Sequence, residues 1–271
     1  TKKYTEDPLV TAERALSNLT DRQYRFENEP EIKHASQYLA NGHLIVANRA
    51  LIKGEDELAY ESFLQVQSIA PETYQVEHNL ALLSHRLHKH EEAIRRYEAL
   101  LEEGKTAKPS YIHALADIYG EEKKDMQVVN VLVRGHELYP NNKEILFRLI
   151  NTYNEKQAYD AIVPLVEQAV KLDPENATLH YIAAYAFDVT GDQKSALESY
   201  ERLIELDHNN YEGNLGIGLI YLEDYLKNPE SRTAQNRAQE YLLRANQINP
   251  SGINTLRSLA VLINKRGTLY N

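Results

Sequence analysis

Four aromatic residues stand at one spacing: Tyr119, Tyr153, Phe187 and Tyr221 are each 34 residues apart. A period of this length constrains the fold more than any local feature. A recurring unit of this size cannot bury its apolar face alone and must stack on its neighbours. The clearest unit runs from Ala177 to Asn210. Ala183, Ala184 and Phe187 fall at i, i+1 and i+4 on one face of a predicted helix. Thr190-Gly191-Asp192 breaks that pattern, glycine turning a chain at least steric cost. Ala196, Tyr200, Leu203 and Ile204 then share the face of a second helix. The unit is therefore read as two short amphipathic helices around a tight turn, and the chain as all-α.

The same columns recur through most of the chain. The first-helix pairs are Val46-Ala47, Leu80-Ala81, Leu115-Ala116, Leu149-Ile150, Ala183-Ala184, Ile217-Gly218 and Leu259-Ala260. A second-helix column reads Ala59, Ala93, Val128, Ile162, Ala196 and Ala238, followed by Phe63, Tyr97, Leu132, Val166, Tyr200 and Leu242. Units close at Pro71, Lys105, Pro140, Pro174, His208 and Pro250. In these columns the chain resembles a tetratricopeptide repeat array. The resemblance implies a right-handed α-solenoid of stacked helix-turn-helix units.

On this register the units span about 40–73, 74–108, 109–142, 143–176, 177–210 and 211–252. Residues 1–39 are read as an N-terminal capping helix, with the stripe Leu9, Ala12, Leu16 and Leu19, and a lead-in. Residues 253–271 are read as a C-terminal capping helix. Pro30 is expected to open a long helix from Glu31 to about Ile52, with Gly54 at its turn. Unit six carries an insertion, so both of its helices are expected to be a turn or so longer. Asn228-Pro229 is read as the second start there. Pro164 lies inside a second helix and is expected to kink it. Gly213, Gly216 and Gly218 lie in a helical pattern with no strand before them, so close helix packing is expected and not a dinucleotide loop.

Composition narrows the chemistry. There is no cysteine, hence no disulfide framework and no thiolate nucleophile. A net charge of −10 argues against nucleic acid as partner. No apolar run reaches the roughly 18 residues of a membrane span. The single methionine is Met126, so Thr1 is read as not the natural start, and a removed export signal is expected in preference to a trimmed chain. A periplasmic or secreted location is slightly favoured over a cytoplasmic one.

The resemblance implies that first helices line a concave groove where ligands lie. First-helix residues outside the packing columns are then the candidate contacts. Toward the N-terminus these are Asn48, His78, Asn79, Arg86 and His113. Toward the C-terminus they are Phe147, Asn151, Tyr181, Tyr185, Leu215 and Leu219, an aromatic and aliphatic set suited to anchoring a partner. The carboxylate clamp of chaperone-binding family members is rejected. Asn48 and Asn79 occupy two of its places, but Leu44, Ser110 and Ala114 replace its cations.

His78, His85, His88, His90 and His113 crowd 36 residues. They are read as solvated or packed, because Lys89 follows His88 and no carboxylate falls at ligand spacing beside them. Glu61, Glu91, Glu92, Glu102 and Glu103 are read as a solvated face. No nucleophile–base constellation stands out, so no enzyme activity, cofactor or metal is assigned. The chain reads as a protein–protein interaction module holding a peptide or partner helix in its groove. The alternative is a structural subunit of a cell-envelope or secretion assembly, docking through its end caps and the 223–237 hairpin.

Overall fold

The computed structural model describes residues 9–11, 13, 14, 17, 29–70, 74–102 and 107–269. Among them there is no strand, and thirteen helices carry the fold. The first five are α1 (Glu29–Lys53), α2 (Asp56–Ile69), α3 (Tyr74–Arg86), α4 (His90–Glu102) and α5 (Pro109–Glu121). Then come α6 (Asp125–Leu138), α7 (Lys143–Glu155), α8 (Tyr159–Leu172), α9 (Ala177–Thr190) and α10 (Gln193–Leu206). The last three are α11 (Tyr211–Lys227), α12 (Arg232–Ile248) and α13 (Ile253–Leu269). Helices pack against their chain neighbours in consecutive pairs, the contact pattern of an all-α solenoid. The chain divides into two compact units, Thr1–Val131 and Leu132–Asn271.

The repeat columns are the core. Ala59, Ala93, Ile162, Ala196 and Ala238 have no exposed surface, nor do Phe63, Leu132, Val166 and Leu242. Tyr97 and Tyr200 are buried as well. Small residues in the first column let the paired helix approach, and the large residue one turn on fills the space between pairs. Each large side chain so buried contributes roughly 1.5–3 kcal/mol. Val128 is only half-buried, and Ala260 of the last pair is exposed.

Turn chemistry repeats with the same period. Gly54, His88, Lys123, Gln157 and Gly191 all adopt a left-handed backbone, with φ of 75°, 55°, 57°, 55° and 89°. Each ends the first helix of a pair. Glycine holds this conformation freely, whereas the other three residues are strained there by about 1 kcal/mol or more each. Five helix starts in the second unit are capped by side chains, whereas α8 follows Ala158 with no such cap. Asn142, Asn176, Asp192, Asn210 and Ser231 each accept a hydrogen bond from the backbone N–H three residues on.

The lengthened helices of repeat six are present: α11 and α12 have 17 residues each, against 13 or 14 in α7 to α10. The second of them begins at Arg232, capped by Ser231, and Asn228 ends the first, so the expected start at Asn228-Pro229 is corrected. Proline cannot donate a backbone bond, but Pro229 falls in the turn, where none is needed. Pro164 sits within α8, which runs unbroken from Tyr159 to Leu172. The glycines of α11 are there for close approach. A Cβ on Gly216 would strike the Tyr200 ring, and one on Gly218 would lie 2.9 Å from Leu242. At the N-terminal end, Leu9 lies so close to Gly42 of α1 that a Cβ there would meet it at 2.6 Å. Ala12, Leu16 and Leu19 of the expected stripe, and the closing positions Pro71 and Lys105, lie outside the described residues.

Candidate functional site

The first unit is held by charge. Arg96 of α4 is buried, and its guanidinium holds two carboxylates at short range. Nε and Nη2 donate to Glu92 Oε1 at 2.9 and 2.7 Å, and Nη1 donates to both oxygens of Glu77 at 2.9 and 2.8 Å. Gln67 of α2 donates to Glu77 at 2.6 Å, and the Tyr60 hydroxyl donates to Glu92 at 2.5 Å. Helices α2, α3 and α4 are thus joined by one bidentate network. Burial pushes the Glu92 carboxyl up, but the bonds from Tyr60 and Arg96 outweigh it and hold it below the usual carboxylate range. Glu92 is therefore not a solvated surface charge, as sequence alone suggested. Arg96 is one turn on in the same helix, but Tyr60 lies two helices away, beyond what helical spacing can reveal.

The candidate contact residues of this unit are unequally available. Asn48 is exposed, and Asn79 and His113 are half-buried. Arg86 is tied down, its Nε 2.9 Å from Asp56 Oδ2. His78 packs its ring 5.5 Å from that of Tyr111. Burial, with Lys108 nearby, pushes its pKa below the ordinary imidazole value.

The histidines around the α3–α4 turn do meet carboxylates. His85 Nε2 lies 3.4 Å from Glu121 Oε1, and His90 Nε2 lies 3.1 Å from Glu121 Oε2. His90 Nδ1 lies 3.4 Å from Glu122 Oε1. Glu121 and Glu122 end α5, in the next repeat, so no local spacing could have announced them. Lys89 is turned away, its Nζ 3.6 Å over the Tyr60 ring, so the reason for setting these histidines aside does not hold.

The second unit is aromatic where the first is charged. Tyr181 and Tyr185 of α9 stand one turn apart, their ring centres 6.3 Å apart. Tyr159, from the start of α8, meets Tyr185 edge-on at 5.3 Å. Burial pushes the Tyr159 and Tyr181 hydroxyls up, and the neighbouring Tyr185 adds to this in both. Tyr185 keeps 39% of its surface exposed and Leu219 38%. Tyr181 and Phe147 are half-buried against the core, and Asn151 is exposed. Tyr159 was not among the expected contacts, because it opens a second helix and only first helices were expected to line the groove.

Leu215 is corrected: it is 5% exposed and belongs to the core with Leu222, Leu242 and Leu262. Helices α9, α10, α12 and α13 all pack on α11, and every residue from Gly213 to Gly218 is buried. No face of α11 is left at that level for a ligand. A cleft of about 650 Å³ lies elsewhere in this unit, lined by Glu201, Glu205, His208, Tyr241 and Arg244, with a smaller one of about 260 Å³ near Phe187. Neither includes the tyrosine cluster. No helix among the described residues is long and apolar enough to cross a membrane.

Known proteins place this architecture. The structure of YrrB, a TPR protein with an unusual peptide-binding site, superposes with a TM-score of 0.56 at 18% identity. The match covers 74% of this chain and 100% of that one. The MamA AMB-1 structure gives 0.50 at 18% identity, covering 65% of this chain and 91% of that one. Both likenesses establish the fold. No curated protein matches the sequence. The family described as the MAP3K TRAFs-binding domain matches residues 41–268. With its helix pairs at a 34-residue period, the chain has the tetratricopeptide repeat fold, and it belongs to the MAP3K TRAFs-binding domain family, a family of binding domains and not of enzymes.

Proposed function

We propose that the chain is an interaction scaffold that holds an extended peptide, or one helix of a protein partner, on the surface of its first helices. The observation that carries this reading is the tyrosine cluster Tyr159, Tyr181 and Tyr185, partly exposed on a rigid helix pair. Such rings bring large contact area at low entropic cost, and aromatic anchors supply much of the energy at interfaces. Leu219 would extend the apolar anchor, and Asn151 would add a polar contact from the same unit. In the first unit Asn48 and Asn79 are the residues best placed to meet backbone groups of a partner. The family's name supports a protein as the class of partner.

The test is a pull-down from native extract with the purified chain, beside Tyr181→Ala/Tyr185→Ala. The partner retained by the wild type should be lost from the double variant, and Tyr185→Phe should keep it. A partner held equally by all three would sink the reading. It would favour docking through the C-terminal end, where α13 exposes Ile253 (64%), Leu256 (47%) and Ile263 (68%). Leu256→Lys with Ile263→Lys would then be the variant that loses it.

A further inference from the structure

We propose that the α3–α4 turn and the end of α5 form a binding site for a divalent zinc-type cation. His88, His90 and Glu121 each bring one ligand atom into a group whose members all lie within 4.8 Å of one another. Two imidazoles and a carboxylate are a donor set that zinc and its neighbours take readily. His85 stands beside the group, with Nε2 3.4 Å from Glu121 Oε1, where it can orient that carboxylate or become a fourth ligand.

The orientation of His90 is the second argument. Its Nδ1 faces Glu122 Oε1 at 3.4 Å, and Lys124 holds the other oxygen of Glu122 at 2.6 Å. With Nδ1 turned to Glu122, Nε2 is the ring nitrogen left to face an ion. Nε2 is buried, makes no hydrogen bond, and lies 3.1 Å from Glu121 Oε2. An ion held between Nε2 and Glu121 Oε2 would take one ligand from each. A ligating histidine whose other nitrogen is held by a carboxylate is also the usual outer arrangement of a metal site. His88 is exposed on the strained left-handed turn, and Glu121 is nearly half exposed, so both can make the small rotations needed for bond lengths of about 2.0–2.2 Å. A bound ion would clip the turn of one repeat to the first helix of the next.

The experiment is calorimetric titration of untagged, chelator-stripped protein with zinc chloride near neutral pH, beside His88→Asn/Glu121→Gln. Asparagine tolerates the left-handed backbone, so that variant keeps its turn while losing a ligand. The wild type should bind one ion at micromolar affinity or tighter and melt at higher temperature with zinc. The variant should bind at least ~10-fold more weakly and lose the thermal shift. His208→Asn, remote from the cluster in sequence, should behave as the wild type. No saturable binding by the wild type would overturn the proposal. Equal binding by wild type and His88→Asn/Glu121→Gln would overturn it too, placing the ion on other histidines.

Discussion

Arg96 and Tyr241 occupy the same place in the repeat, each just before the large core residue of its second helix, Tyr97 and Leu242. Both are buried, at 7% and 8% exposure. Arg96 ties α2, α3 and α4 together through Glu77, Glu92 and Gln67. Tyr241 instead lies parallel to Tyr221, ring centres 6.5 Å apart. One register position therefore accepts a desolvated cation in the first unit and an aromatic stack in the second. The backbone period fixes where a helix-bridging side chain must stand. It does not fix the chemistry of the bridge, and the two solutions fail differently.

The largest effect should separate them. Arg96→Ala strands two carboxylates and removes packing, so it should destabilise the protein by about 3 kcal/mol. Tyr241→Ala removes a ring and leaves no charge behind, and about 2 kcal/mol is expected. Chemical denaturation of both variants checks the order. An Arg96→Ala loss below that of Tyr241→Ala would mean that the charged network contributes little.

Acidity should sharpen the contrast. Glu92 is held below its ordinary value, so its contribution is complete above that value and is lost as pH falls through the lower, folded-state one. Asp188 of the second unit is shifted the other way, by burial and then by Glu223. Its ionised form opposes folding above its raised value, and acid relieves that. Asp192, an exposed cap one turn on, is held low by its bonds to Ser195 and loses them in acid. Hydrogen exchange should therefore show α3 and α4 losing protection between neutral and acid pH. The end of α9 should gain relative to an Asp188→Asn control. Parallel loss in both regions would break the comparison.

The smallest effect concerns the turns. Gln157→Gly removes a strained left-handed residue and should stabilise by about 0.5–1 kcal/mol, visible as a small rise in Tm. Lys123→Gly should do the same in the other unit, and unequal gains would mean that one turn carries a compensating contact.

Sequence reasoning reached the architecture because periodicity is a property of the chain itself. The buried columns from Ala59 to Leu242 were all legible from spacing, and so were the longer helices of repeat six. It did not reach the bridges between repeats. Arg96 meets Glu77 across 19 residues and His85 meets Glu121 across 36, and nothing local marks either pair. Leu215 was misread for a related reason. It is off the packing columns, but four other helices close on α11 and cover it. Tyr181 and Tyr185 were found because they are aromatic residues off the columns. Their neighbour Tyr159 was missed because the helix it opens was assumed to face elsewhere.

The turn position has a wider consequence. Gly54, His88, Lys123, Gln157 and Gly191 share one backbone geometry, and all are exposed. The fold asks for a shape there and leaves the side chain unspecified. Such a position is an address that recurs along the array, where a group can be exchanged without repacking any helix. Writing a histidine at residue 54 or 191 would transplant half of the His88 arrangement into another repeat. A second histidine two residues on, and a carboxylate at the end of the following first helix, would supply the rest. The array can in this sense acquire a new binding chemistry one repeat at a time, while its core stays unchanged.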